Sequence, residues 1–149
     1  MDEKFMRIAL KQAEKAAKIN ETPIGAVIVR NGEIIARGYN KRETKKNALL
    51  HAEIIVIDKA CKKLGGWRLP GCEIYITLEP CPMCMGAILQ SRIEKVYFGA
   101  YDKKSGCLGS VCDLSRILPH KIPYEGGILQ TECENILKTF FKNLRKREK

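Results

Sequence analysis

Short β-branched runs alternate along this chain with longer stretches of helical period, and that alternation constrains the fold more than any other feature. Phe5, Ile8, Ala9, Ala13 and Ala16 recur at helical spacing, so the chain opens with an amphipathic helix, which Thr22-Pro23 ends. Ile24 to Val29 and Ile34-Ile35 are apolar runs on either side of Asn31-Gly32. Asn-Gly at that place is a strong hairpin signal, because both turn positions tolerate positive φ. Lys41 to Asn47 is polar and basic and reads as a loop. A second helix is expected from near His51 to about Leu64, with Asn47 as a cap and Gly65-Gly66 beyond its end. Glu73 to Leu78 reads as a strand, Glu79-Pro80-Cys81-Pro82 leads into a helix that runs through about Gln90, and Lys95 to Gly99 reads as a further strand. Pro82 suits a first helical turn, where its missing N–H costs nothing. Asp102 to Ser110 is a glycine-bearing loop, and Ile136, Leu137, Phe140, Phe141 and Leu144 mark a C-terminal amphipathic helix. Strands alternating with helices require a sheet covered on both faces. The expectation is a three-layer α/β/α sandwich around a mixed, mostly parallel sheet that opens with an antiparallel hairpin. Its crossovers should be right-handed.

No repeat, low-complexity tract or Pro/Gly-rich linker divides the 149 residues, so 1–149 reads as one domain. Hydrophobic residues at 45% and charged residues at 30% exclude a disordered or fibrous chain. No stretch approaches the roughly 20 apolar residues of a membrane span. The charged, amphipathic start does not read as a secretory signal. Seven cysteines, an odd number, then argue for a reducing cytoplasm rather than a disulfide framework. A net charge of +10 suits a polyanionic partner, and equally suits a lysine-rich surface that keeps the protein soluble.

Two short motifs carry the chemistry: His51-Ala52-Glu53 and Pro80-Cys81-Pro82-Met83-Cys84. Each opens a helix. Cys81 and Cys84 are three residues apart, so they share a helix face. A helix N-terminus favours the thiolate, which is the form that binds metal. With the imidazole of His51 they form a soft N/S set suited to zinc. Three protein ligands leave the fourth tetrahedral position open to water, the arrangement of a catalytic zinc. Two thiolates nearly cancel the metal's charge, so the water needs a base, and Glu53 can supply one. A thioredoxin-like redox pair would leave His51 and Glu53 unexplained. A structural four-cysteine zinc is a sharper alternative, with Cys107 and Cys112 joining Cys81 and Cys84. Cys61, Cys72 and Cys133 read as small core residues.

His51-Ala52-Glu53 with Pro80-Cys81-x-x-Cys84 resembles the zinc-dependent cytidine/deoxycytidylate deaminase superfamily. Further segments are similar to its bacterial tRNA-specific adenosine deaminase branch. They include Pro23-Ile24-Gly25-Ala26-Val27, Gly38-Tyr39-Asn40, Thr77-Leu78-Glu79-Pro80-Cys81, Phe98-Gly99-Ala100 and Phe140-Phe141-Lys142-x-x-Arg145. The resemblance covers nearly the whole chain. It implies one Zn2+ per subunit on His51, Cys81 and Cys84, with Glu53 as proton shuttle. Asn40 and the N–H of Ala52 would hold the target base, and Asp102 would contact RNA. Phe141 would approach a neighbouring base, although helical period places it equally well in the core. Arg145 would contact phosphate. The implied partners are a tRNA anticodon stem-loop and a second copy of the chain, as a homodimer, with no membrane. Ala48-Leu49-Leu50, Pro119, Cys107 and Cys112 depart from the branch's usual pattern.

The implied reaction is hydrolytic deamination of adenosine to inosine at the wobble position. Lys41, Arg42, Lys45 and Lys46 form a basic patch just before the active-site helix, and Lys138, Lys142, Arg145, Lys146, Arg147 and Lys149 form another at the C-terminus. Phosphate contacts at such patches position RNA without reading its sequence. Two other readings compete: a free-base or nucleoside deaminase acting on guanine or cytosine, and a non-enzymatic structural-zinc module that binds RNA.

Overall fold

The computed structural model describes residues 1–148, so Lys149 of the C-terminal basic cluster lies outside the described residues. Helix α1 (Glu3–Lys18) is capped by Asp2, whose carboxylate accepts the Lys4 N–H at 3.0 Å. Strands β1 (Gly25–Arg30) and β2 (Glu33–Tyr39) form the antiparallel hairpin. Its turn residues Asn31 and Gly32 have φ of 51° and 76°, as an Asn-Gly turn requires. Then follow α2 (Ala52–Leu64), β3 (Cys72–Leu78), α3 (Pro82–Gln90), β4 (Lys95–Ala100), β5 (Tyr124–Glu125) and α4 (Gln130–Glu148).

The sheet order is β2-β1-β3-β4-β5. β1 runs antiparallel to both of its neighbours, and β3, β4 and β5 are mutually parallel. Four strands therefore point one way and β1 alone is reversed. The sheet is mixed and mostly parallel in direction, as expected. Side chains alternate between its two faces. Ala26, Ile28, Ile74, Ile76, Val96 and Phe98 pack with Ala52, Val56, Met85 and Ile88 of α2 and α3. Val27, Val29, Tyr75 and Tyr97 pack on the opposite face with Phe5, Met6, Ala9 and Cys133 of α1 and α4. These two cores are the two interfaces of a three-layer sandwich. Each large apolar side chain buried in them contributes about 1.5–3 kcal/mol. At Gly25, α1 lies directly on the sheet, and a Cβ there would stand 2.6 Å from the Ala13 nitrogen. Only a residue without one fits.

The structure departs from the sequence reading at small points. β5 has two residues and carries no period for a pattern to detect. Asn47 does not cap α2; its Oδ1 accepts the Leu49 N–H at 2.9 Å and closes a local turn, and His51 is the N-cap. Gly65 ends α2 in the left-handed conformation, as expected. Cys72 and Cys133 are buried, whereas Cys61 is only half-buried at the edge of its core. Among the described residues, no helix is long and apolar enough to cross a membrane.

β2, β3 and β4 all point toward one edge of the sheet. The segments leaving them lead to the start of α2, the start of α3 and the 101–110 loop. In open α/β sheets, ligand sites gather at this carboxyl edge.

Candidate active site

His51 and Cys81 are the N-caps of α2 and α3, and neither side chain makes a capping hydrogen bond. Each is turned instead toward the other helix. His51 Nδ1 lies 3.7 Å from Cys81 Sγ and 3.5 Å from Cys84 Sγ. Among the described residues this trio is the group of donors that could hold a metal ion, with all ligand atoms within 4.8 Å of one another. A tetrahedral zinc, with Zn–S of about 2.3 Å and Zn–N of about 2.0 Å, holds its ligand atoms about 3.5–3.8 Å apart. The trio fits that ion in spacing and in donor chemistry.

Electrostatics separate the two thiols. The Cys81 thiol is pulled down to about 4, chiefly by the Cys84 S–H, against the cost of burial, with help from His51 and the Cys84 amide. Cys84 moves the other way, raised first by its bond to Cys81 and then by burial and the charge of Glu53. The Cys84 amide, in the first turn of α3, is the helix's own part in lowering Cys81. His51 is raised, first by Cys81, against its own burial. Glu53, in the first turn of α2, is only 4% exposed, and burial lifts its carboxyl to about 7. A buried carboxyl beside the ligands, poised near neutrality, suits proton transfer.

The four-cysteine alternative does not form. Cys107 and Cys112 meet each other across a tight turn, in which the Gly109 N–H donates to Cys112 O and the Leu114 N–H to Cys107 O, each at 2.9 Å. They are not part of the metal cluster.

Of the remaining predicted residues, Asn40, Asp102, Phe141 and Arg145 line one depression, and Ala52 lies buried behind it. Asn40 is buried, and its Oδ1 has no hydrogen-bond partner. It borders a cavity of about 70 Å3 with Thr22, Ile24, Arg42 and His51. Thr22, Ile24 and Arg42 also line a groove of about 640 Å3 that continues past Asp102 to Leu137 and Phe141. Lys104, Leu137 and Phe141 carry it on to Arg145. Ala52, the first residue of α2, is fully buried, and its N–H has no intrahelical partner. Phe141 is 41% exposed, which removes core packing as its explanation. The Asp102 carboxylate is turned into its own loop, where it accepts from the N–H of Lys104 (3.0 Å) and of Ser105 (3.3 Å) and from the Ser105 hydroxyl (2.9 Å).

Several groove residues were not singled out from sequence: Thr22, Ile24, Lys103 and Lys104. Two lysines in a short polar loop carry no period and no spacing, so no signal marked them. Glu21 was also missed. It is fully buried at the end of α1 and accepts the N–H groups of Glu43 (3.1 Å) and Thr44 (2.6 Å), which ties down the basic 41–47 loop.

With the geometry in view, the relatives can be compared. Residues 1–100 match the model of the cytidine and deoxycytidylate deaminase zinc-binding region. The chain belongs to that family of zinc-binding deaminases. Within it, the chain is 52% identical over 150 residues to a tRNA-specific adenosine deaminase of Bacillus subtilis, covering 99% of this chain and 93% of that one. A solved structure from work on A-to-I editing by tRNA:A34 deaminases at the wobble position superposes with a TM-score of 0.83 at 40% identity, covering 91% of this chain and 100% of that chain. A guanine deaminase structure from Bacillus subtilis matches at 42% identity and a TM-score of 0.65, covering 68% of this chain and 66% of that chain.

Proposed function

We propose that this chain, as one deaminase domain over 1–149, is a zinc-dependent hydrolase that converts adenosine to inosine at the wobble position of tRNA anticodon loops. The observation that carries this reading is the continuous depression from His51 and Asn40, past Arg42 and Asp102, to Phe141 and Arg145. A free base needs only its inner end, whereas a nucleotide strand occupies its length. The 52% identity to a tRNA-specific adenosine deaminase over 99% of the chain supports the same choice.

His51, Cys81 and Cys84 would hold zinc, which when bound supplies Lewis acidity toward water. Glu53 takes a proton from the attacking water and delivers it to the ring nitrogen beside the amino-bearing carbon. It then takes the second proton from the added hydroxyl and passes it to the amine as the C–N bond breaks, so adenosine and water become inosine and ammonia with no redox cofactor. The unpartnered Asn40 Oδ1 accepts a hydrogen bond from the target nucleoside, and the Ala52 N–H donates one. Asp102 contacts the RNA strand from the 101–110 loop, Phe141 offers a face for a neighbouring base, and Arg145 pairs with phosphate. Extruding a base from a single-stranded loop costs at most a few kcal/mol.

The partner is therefore a tRNA anticodon stem-loop. A homodimer with RNA contacts from both subunits is part of the proposal, and the exposed Leu49, Val111 and Ile117 are apolar surface available to it. Seven free cysteines fit a cytoplasmic setting. The test is incubation with an anticodon stem-loop carrying adenosine at the wobble position, scored for inosine, beside free adenine, guanine and cytosine. Inosine from the stem-loop, falling steeply with added salt, is the expected result. Turnover of free guanine or cytosine with a flat salt response would replace it with the free-base reading. Zinc binding with no turnover of any substrate would leave an RNA-binding zinc module.

A further inference from the structure

Glu79 stands between the end of β3 and the metal ligand Cys81, and it is 1% exposed. Its own N–H donates to Ala100 O at 2.9 Å, which fixes it to the end of β4. Among the described residues no ion pair is made to its carboxylate. Four donors from one loop surround it instead. Oε1 accepts the Asp102 N–H at 3.0 Å and the Ser110 hydroxyl. Oε2 accepts the Leu108 N–H at 2.9 Å and the Ser110 N–H at 3.1 Å. All four partners donate, so the site is matched to an acceptor-only group with about four lone-pair positions. Gly106 is wrapped against the same carboxyl, because a Cβ there would overlap its atoms. The next residue, Pro80, accepts the Cys107 N–H at 2.9 Å. The loop therefore hangs from the two residues that lead into the metal ligand.

We propose that Glu79 is a positioning residue for RNA recognition: its buried carboxylate gathers Asp102, Leu108 and Ser110, and so sets the wall of the groove that Asp102, Lys104 and Phe141 share. The proposal rests on the tRNA reading above for its substrate. Glu79 touches neither the nucleoside nor the metal. It acts through the backbone of the loop, whose middle is also held by the Cys107 N–H on Pro80 O and by the buried side chains of Cys107 and Leu108, but whose Asp102 N–H is held by Glu79. A loop released at this point keeps its residues and loses their placement, so the cost falls on binding RNA and not on the proton transfers at Glu53.

Glu79→Gln makes a selective cut. With the amide oxygen in the Oε2 position, the N–H bonds of Leu108 and Ser110 survive, and the NH2 group can donate to the Ser110 hydroxyl oxygen. The Asp102 N–H is then left facing a donor. The variant should release the groove end of the loop first. The experiment uses zinc-loaded full-length protein and two readouts: amide hydrogen exchange across 101–112, and steady-state kinetics on the anticodon stem-loop. Expected are faster exchange at Asp102 with Leu108 and Ser110 still protected, a KM raised about ten-fold, the effect of one lost buried hydrogen bond, and an unchanged kcat and zinc content. Unchanged exchange at Asp102 overturns the proposal. So does faster exchange with a wild-type KM, or a lower kcat at a wild-type KM. If the wild-type protein makes no inosine from the stem-loop, the substrate reading fails, while the exchange readout still decides whether Glu79 holds the loop. If Glu79→Gln does not fold, Glu79→Asp takes its place; it keeps the charge but is one methylene too short to reach both ends of the loop. It must raise KM in the same direction, and a wild-type KM there overturns the proposal.

Discussion

Cys84 is completely buried and Phe141 is 41% exposed, and the two residues typify the two halves of the site, the metal end and the groove. The inner half is built from the first turns of α2 and α3, whose backs carry Val56, Ala60, Met85 and Ile88 into the core. Rigid helices hold its donors. The outer half is made of the 41–47 and 101–110 loops and one face of α4, of which Cys133 alone is fully buried among the described residues. Chemistry is set into the scaffold, and recognition is hung from it. Substitutions at the two ends should therefore fail in different ways.

The sharpest break comes at the inner end. Glu53→Ala should keep zinc, measured by metal analysis, and lose activity by about 10²–10⁴-fold, the scale of a general acid/base. Appreciable turnover in that variant would remove Glu53 from the mechanism. At the outer end, Phe141→Ala should keep kcat and weaken stem-loop binding by about 1–3 kcal/mol, the contribution of one stacked base, read as a rise in KM. A fall in kcat instead would erase the distinction between the two halves. The smallest effect concerns the basic loop. Burial pushes the Glu21 carboxyl up, but the Thr44 hydroxyl, the amides of Thr44 and Glu43, and Arg42 outweigh it and hold the group below its ordinary value. A lowered carboxyl contributes stability that is present above the ordinary pKa of 4.5 and is lost as pH falls through the folded value. The gap in thermal stability between the native protein and Glu21→Gln should therefore be full at neutral pH and close on acidification below that point. A gap that stays constant with pH would show that Glu21 holds the loop by shape alone.

The same division decided what could be read from sequence. The Asn31-Gly32 turn, the left-handed Gly65 and the His51, Cys81 and Cys84 cluster were legible because each depends on a local rule of conformation or ligand spacing. The layer order followed from period alone. β5 was not legible, since two residues have no period, and neither was the Asn47 turn, because the same side chain serves a cap and a turn equally well. Lys103 and Lys104 became groove residues only when the loop was placed against α4. Glu21 and Glu79 reach loops 22 and 23 residues or more away in sequence, and a single chain gives no sign of such pairings.

Helices α2 and α3 start without a side-chain cap on their first-turn amides, because His51 and Cys81 are turned to the metal position. A missing cap is worth roughly 0.5–2 kcal/mol. The ion that these residues fit would then join the two helix starts as a fastener, and its binding free energy would enter the stability of the native state. Metal supply to the cell would govern how long each molecule survives as well as how fast it works.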